Sequence, residues 1–101
     1  MERREMEIRA MLRRALESHA PQLAGYRVFL FGSRATGHAG PRSDYDVGVI
    51  GPQPLPSRAY SDIEDTLDAL PTLHRIDWVD FNQVSERFRE RAMQQVEVLY
   101  E

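Results

Sequence analysis

A glycine–serine turn at the end of an apolar run constrains this chain more than any other feature. The run over residues 26–31 is rich in aromatic and β-branched residues and stops at Gly32 and Ser33, which predicts a strand followed by a turn. After a gap of ten residues, Asp44 and Asp46 lead into a second apolar run. Because residues i and i+2 of a strand point to the same side, this pattern predicts two carboxylates on one face of a sheet.

The two aspartates and the turn together predict chemistry on phosphates. Adjacent carboxylates repel each other, and a hard, oxygen-seeking cation such as Mg²⁺ relieves that repulsion. The backbone N–H groups and the hydroxyl of the turn are suited to hold phosphate oxygens. A phosphate cradle beside metal-binding carboxylates is the equipment for moving a nucleotidyl group. The alternative is that Asp44 and Asp46 are strand-start residues without a ligand.

Length and composition bound the remaining possibilities. The 101 residues predict a single domain over residues 1–101 with a small core, and the absence of cysteine excludes disulfides and thiolate metal sites. No apolar run approaches the roughly 20 residues needed to span a bilayer, and the charged N-terminus does not read as a signal peptide. We therefore expect a cytoplasmic protein without membrane contact. The net charge of −3 argues against direct binding of nucleic acid.

The periodicity of apolar residues predicts four helices and three strands in alternation. The predicted elements are helix 2–20, strand 26–31, helix 34–38, strand 43–50, a helix ending before Pro71, strand 75–81, and a helix that starts near Asn82 or Ser85. This order indicates an α/β or α+β domain with a three-stranded sheet and helices mainly on one face. The other face holds the carboxylates and has no obvious cover. Residues 96–100 either continue the last helix or form a short edge strand, and residues 51–56, with three prolines, form a stiff connection.

A third carboxylate lies in the last predicted strand. Asp77 interrupts an otherwise apolar run, where propensity disfavours it, so its presence suggests a ligand to the same cation. The alternatives are a salt bridge to Arg75 or a surface position. Asp80 competes for the role, but alternation places it on the opposite side of the strand, where it would cap the final helix.

These residues carry a resemblance. The combination of Gly32-Ser33, the ten-residue gap, Asp44-Tyr45-Asp46 and the later Asp77 resembles the signature of the DNA polymerase β-like nucleotidyltransferase superfamily. The size, and segments such as 76–81 and 87–101, are similar to the minimal nucleotidyltransferases of the MntA type. The resemblance implies a mixed three-stranded sheet. It also implies a partner protein of the HEPN type, an RNase-like toxin, for which the nucleotidyltransferase is the antitoxin. The activity implied is transfer of AMP from ATP to a tyrosine of that partner, which silences it.

The resemblance also implies residue roles. Asp44 and Asp46 would hold two Mg²⁺ ions, one of them arriving with ATP, and Asp77 would contact the metal nearer the attacking hydroxyl and is a candidate base.

Gly32 and Ser33 would hold the β- and γ-phosphates, and either Arg34 or Arg42 would offset charge on the leaving pyrophosphate. Both arginines are otherwise expected in solvent, and His38 is expected to be a loop residue.

Two readings of function remain open at this stage. The first is an ATP- and Mg²⁺-dependent protein adenylyltransferase acting as antitoxin. The second is a catalytically weak or inactive module that neutralises its partner by binding alone. The chain shows no second domain to present an acceptor, so a partner, or a second copy in a homo-oligomer, would supply that surface. Transfer to RNA or to a small molecule such as an aminoglycoside is a weaker third reading, because the acidic balance opposes it.

Overall fold

The computed structural model describes residues 2–101 and places four α-helices and four strands along them. In chain order these are α1 (Arg3–Glu17), β1 (Arg27–Phe31), α2 (Ser33–Thr36), β2 (Tyr45–Ile50), α3 (Ser57–Asp68), β3 (Ile76–Asp80), α4 (Glu86–Ala92) and β4 (Glu97–Tyr100), with a short 3₁₀ helix at Ala20–Gln22. The strand order is β3-β2-β1-β4, with β2 and β3 parallel and the other pairs antiparallel. The predicted mixed α/β architecture is confirmed. Over this range, no helix has both the length and the apolar character that a membrane span needs.

The sheet has four strands, so the predicted count of three was wrong. The extra strand, β4, pairs antiparallel with β1, and Val28 lies opposite Tyr100. The sequence of residues 96–100 was compatible with helix or strand. Residues 97–100 form a strand because their backbone groups hydrogen-bond to the otherwise unpaired edge of β1. The burial of Leu99 favours the same conformation.

One face of the sheet packs against α1 and α3, and we call it the α1–α3 face. Both helices turn an apolar stripe with helical spacing toward the sheet, where it meets alternate residues of β1 and β2. The fully buried residues of this layer include Leu12, Leu16, Leu23, Val28, Leu30, Tyr45, Val47, Val49, Ile63 and Leu67. Each such side chain contributes on the order of 1.5–3 kcal/mol through burial. This layer fixes which side of β2 remains for the site.

The opposite face, which we call the α4 face, carries three packed aromatic rings. Phe29, Phe31 and Phe81 are buried and meet edge to face, with ring centroids 4.8 Å apart for Phe31 and Phe81. Gly48 lies beneath them, and a Cβ there would come within 2.7 Å of Phe29 and Phe81. Met93, with neighbours in and after α4, packs against this cluster. The expectation of an uncovered second face was therefore wrong for its centre, because a compact aromatic cluster recruits the last helix.

Asp80 has a role that the sequence did not reveal. Its carboxylate is buried and accepts the N–H of Leu55 at 2.9 Å and that of Asn82 at 2.9 Å. The expected capping of the final helix by Asp80 was wrong, since the hydroxyl of Ser85 accepts the N–H of Phe88 there. Asp80 instead fastens the proline-rich connection over residues 51–56 to the end of β3.

Candidate active site

The turn after β1 brings the backbone against a carboxylate. Gly32 has φ 71° and ψ −152°, a conformation that side-chain-bearing residues rarely adopt. A Cβ at Gly32 would lie 2.5 Å from the Oδ2 atom of Asp46, so close approach also requires glycine. The C=O of Gly32 accepts the N–H groups of Ala35 and Thr36, which starts α2. The glycine–serine turn is thus next to Asp46, as the site hypothesis needs.

Asp46 and Asp77 form a pair across parallel strands. They are direct neighbours in the β2–β3 register, and both side chains point away from the α1–α3 core. Burial raises the pKa of Asp46, and the carboxylates of Asp77 and Asp44, together with a hydrogen bond to Asp77, raise it further to about 6. The two acidic groups therefore lie side by side, and their repulsion adds to the effect of burial on Asp46.

The surroundings of Asp77 and Asp44 differ from those of Asp46. Asp77 accepts the Nε–H of Arg75 at 2.9 Å, so the salt bridge considered as the alternative is present, on a largely exposed arginine. Asp44 lies exposed just before β2 rather than within it, and it acts on Asp46 through charge. Within residues 2–101, no three acidic, histidine or cysteine side chains are already arranged around a common point as metal ligands.

The donor set nevertheless fits Mg²⁺. This cation is commonly held by one or two carboxylates, with water and substrate phosphates completing the octahedron. Asp46 and Asp77 supply hard oxygen donors, and the pKa of Asp46, raised in part by neighbouring carboxylates, shows that added positive charge would be favourable there. Asp46 and Asp77 would hold the ion, with Asp44 at the rim.

Arg34, a candidate phosphate ligand, lies elsewhere. Its side chain is buried on the α1–α3 face, where it donates to Glu5 at 2.9 Å and to the C=O of Ser43 at 2.7 Å. Its guanidinium also sits 4.2 Å from the ring centroid of Tyr45. The structure does not bring Arg34 to the carboxylates. It instead braces the loop that leads into Asp44.

The remaining polar candidates lie in the loop before β2 and are exposed. Arg42 borders neither of the cavities around Asp46. His38 is exposed and contacts the hydroxyl of Thr36 at 3.1 Å, in agreement with its expected position as a loop residue.

A cleft surrounds Asp46 and divides into two arms. Both arms are bordered by Phe31, Asp46 and Phe88. The first, which we call the β3 arm, has a volume of about 750 Å³ and runs along the free edge of β3. The second, the α4 arm, has a volume of about 680 Å³ and lies between the glycine–serine turn and α4. The cleft has room for two reactants that meet at Asp46.

The polar lining of the two arms differs. The β3 arm carries Glu64, Asp68, Asp77, His74 and Arg75. The α4 arm carries Gly32, Thr36, Arg91, Gln94 and Gln95. The sequence analysis gave no site role to Phe88 or Arg91, which border the cleft. The available signal was helical spacing, since Arg91 lies one turn after Phe88 and shares its side of α4.

Comparison with known proteins identifies the family of the chain. Residues 21–101 match the family described as Polymerase beta, Nucleotidyltransferase. A Haemophilus influenzae protein named probable protein adenylyltransferase MntA is 35% identical over 65 residues, which is 64% of this chain. The chain spans 57% of the length of that relative in the match.

Solved structures show the same fold at low identity. A chain of a toxin–antitoxin complex with AMP-PNP superposes with a TM-score of 0.63 and 21% identity, covering 87% of this chain and 72% of the other. A complex of tri-AMPylated Shewanella oneidensis HEPN toxin with MNT antitoxin gives a TM-score of 0.60 and 18% identity, covering 91% and 71%. The family match over most of the chain, on a nucleotidyltransferase fold with paired carboxylates at the glycine–serine turn, shows that this chain belongs to the polymerase beta nucleotidyltransferase family.

Proposed function

We propose that this protein transfers AMP from ATP, with Mg²⁺, to a tyrosine of a HEPN-type partner and so acts as its antitoxin. The observation that carries the proposal is the pair Asp46 and Asp77, held side by side on parallel strands next to Gly32. The relative named as a protein adenylyltransferase, and the fold shared with chains of toxin–antitoxin complexes, support the choice of AMP and of a protein acceptor.

In the proposed reaction the tyrosine oxygen forms a bond to the α-phosphorus of ATP. The bond from that phosphorus to the bridging oxygen of the β-phosphate breaks, and pyrophosphate leaves. The hydroxyl proton passes to Asp77 or to water. When bound, Mg²⁺ supplies charge neutralisation and lowers the pKa of the attacking hydroxyl.

The chain's own residues orient the reactants. Gly32 lets the turn approach Asp46 closely, so that backbone N–H groups near Ser33 are available to the phosphates. Asp77 borders the β3 arm alone, which is the side from which an acceptor hydroxyl would enter. Asp77 accepts the Nε–H of Arg75 at Oδ1, and its carboxylate also shares a hydrogen bond with Asp46, so both neighbours orient the group that would accept the proton.

The test is to incubate the protein with ATP, Mg²⁺ and the HEPN-type protein encoded beside it, and to measure the partner's mass. We expect additions of AMP on tyrosine and their loss when both Asp44 and Asp46 are changed to Asn. Arg42→Gln, in the same loop but outside the cleft, is the matched control and should keep the activity. Unchanged labelling by the double variant would contradict the proposal.

One observation favours a second candidate, neutralisation by binding alone. The three aspartates are not preassembled as a metal site within residues 2–101, and Asp77 is already paired with Arg75. A variant carrying Asp46→Asn and Asp77→Asn decides between the two candidates in cells that express the partner. Full protection by this variant favours binding alone, and loss of protection with unchanged partner binding favours transfer.

A further inference from the structure

The α4 arm contains a cation that the proposed reaction has not used. Arg91 is exposed at the end of α4 and makes no salt bridge to any carboxylate in the part of the chain that the structure describes. It borders the α4 arm, as Gly32 and Thr36 do. An unpaired guanidinium that shares a cavity with the glycine–serine turn is suited to phosphate, which it binds through two parallel hydrogen bonds.

The position of Arg91 is set by contacts at both ends of the arm. Ala92, the next residue, packs against the aromatic cluster of Phe29, Phe31 and Phe81. Beyond the helix, the Nε2–H of Gln95 donates to the C=O of Ala35 at 3.2 Å, which ties the end of α4 to the turn. The two walls of the α4 arm are therefore connected directly.

Phe88 offers a surface for a flat ligand. Its ring meets Phe31 edge to face at 6.1 Å and Phe81 at 5.7 Å, yet 43% of the residue stays exposed. An aromatic ring that is anchored on one side and open on the other stacks readily on a nucleobase. The ring borders both arms at their junction with Asp46.

Charge distinguishes the two arms. Asp46 is the one carboxylate bordering the α4 arm as the structure describes it, and Arg91 balances it. The β3 arm adds three carboxylates, Glu64, Asp68 and Asp77, against the single guanidinium of Arg75, so its charge remains strongly negative. A triphosphate carries several negative charges and is repelled from the β3 arm more strongly than from the α4 arm.

We infer that the donor nucleotide lies in the α4 arm, with its phosphates on Arg91 and its base on Phe88. The acceptor hydroxyl then enters through the β3 arm. This inference rests on the proposed function and assigns it two nucleotide-binding residues that are absent from the sequence-based site. It also replaces Arg34 and Arg42 as the source of positive charge near the phosphates.

The experiment measures displacement of a fluorescent ATP analogue by ATP and by adenosine, with Mg²⁺ present. Arg91→Gln should weaken ATP by about tenfold or more and leave adenosine unchanged, because only ATP carries phosphates. Arg87→Gln removes the same charge from α4 outside both arms and should change ATP affinity by less than about twofold. Phe88→Ala should weaken ATP and adenosine alike by about tenfold, and Phe88→Tyr should retain both.

The outcomes separate this inference from the proposed function. If wild-type protein binds ATP and transfers AMP while Arg91→Gln binds ATP as tightly as Arg87→Gln does, the inference is overturned and the proposed function stands. If the wild-type protein binds ATP but labels no partner, selective loss in Arg91→Gln still supports the nucleotide site. Absence of ATP binding by the folded wild-type protein overturns both.

Discussion

The two faces of the sheet carry charged side chains in different surroundings. On the α1–α3 face, Arg34 meets Glu5 and a backbone carbonyl, and Asp80 accepts two backbone N–H groups. On the α4 face, Asp46 meets Asp77 beside it, and the pKa of Asp46 is raised to about 6. A charge with partners of opposite sign stabilises the fold. A charge beside another of the same sign costs stability and indicates that a cation or substrate completes the arrangement.

Alternation along β2 produces this division. Tyr45, Val47 and Val49 enter the α1–α3 core, while Asp46 and Gly48 face α4. Gly48 gives room to the aromatic rings, and those rings hold α4 close to the carboxylates. On the α4 face, the aromatic cluster therefore positions the helix that borders the cleft, next to the carboxylates.

The largest expected effect comes from the charge without compensation. Under the proposed function, Asp46→Asn should lower the rate of AMP transfer by about a thousandfold, or roughly 4 kcal/mol in activation free energy, because the carboxylate proposed to hold the metal is lost. The folded state should persist, since the substitution removes repulsion. Single-turnover transfer assays and circular dichroism on the same preparation test both parts. A rate within about tenfold of wild type would place the chemistry elsewhere.

On the opposite face, the expected loss is one of stability. Arg34→Ala removes the bonds to Glu5 and Ser43 and the stacking on Tyr45, and it should lower the free energy of unfolding by about 3 kcal/mol. This value lies at the low end for a buried pair because Glu5 remains partly exposed. Urea denaturation measures the change, and Arg42→Ala, exposed in the adjoining loop, should change it by less than about 0.5 kcal/mol.

An effect of Arg34→Ala on ATP binding instead of stability would contradict this difference between the faces. If the variant had the urea midpoint of the wild type but bound ATP many times more weakly, Arg34 would belong to the site and not to the core. ATP titration of the folded variant distinguishes these outcomes.

Two aspartates of β3 allow the same comparison within one strand. Asp80→Ala leaves the N–H groups of Leu55 and Asn82 without their acceptor and should cost about 2 kcal/mol of folding free energy. Asp77→Ala loses an exposed salt bridge and a hydrogen bond to Asp46 but relieves repulsion on Asp46, so its net effect should be close to zero or stabilising. Parallel urea denaturation of the two variants tests the difference. Equal losses would remove the distinction between the faces.

Much of this arrangement could be predicted from local pattern. The alternation over residues 45–49 predicted the strand and the side of it that carries Asp46, and the Gly-Ser pair predicted the turn. Both follow from geometry within a few residues, although Asp44 lies just before the strand. The pairing of Asp46 with Asp77 was predicted from a disfavoured residue type in an apolar strand, and the β2–β3 register confirms that they are neighbours. Their roles as metal ligands remain predictions.

Other features depended on contacts between residues far apart in the chain. Arg34 was assigned to phosphate because it follows the turn, but its burial was decided by Glu5, 29 residues earlier. The carboxylate of Asp80 accepts the N–H of Leu55, which lies 25 residues earlier in the chain. Strand β4 forms by pairing with the otherwise free edge of β1. Arg91 enters the site because the aromatic cluster draws α4 over the sheet. Contacts between distant residues leave no local sequence pattern. The sequence therefore pointed to the aspartates near the turn but not to the position of Arg34 or Arg91.

The smallest expected effect is a pH dependence that only the site face should show. Because the folded state holds the proton of Asp46 more tightly than the unfolded chain does, it binds more protons between about pH 3.8 and 6. The free energy of unfolding should therefore fall as pH rises through that window and stay lower above it, by about 1 kcal/mol once screening of a half-buried carboxyl is allowed for. In Asp46→Asn this contribution is absent, so the stability of the variant relative to wild type should rise from pH 4 to pH 7.

Mg²⁺ should cancel that relative gain in stability by stabilising wild type alone at pH 7, since the ion favours the ionised carboxylate. Urea denaturation of both proteins at the two pH values, with and without Mg²⁺, measures the difference. If the difference in unfolding free energy between the variant and wild type is the same at pH 4 and pH 7, the pKa of Asp46 is not raised. The carboxylates of the α4 face then do not destabilise the fold by repulsion.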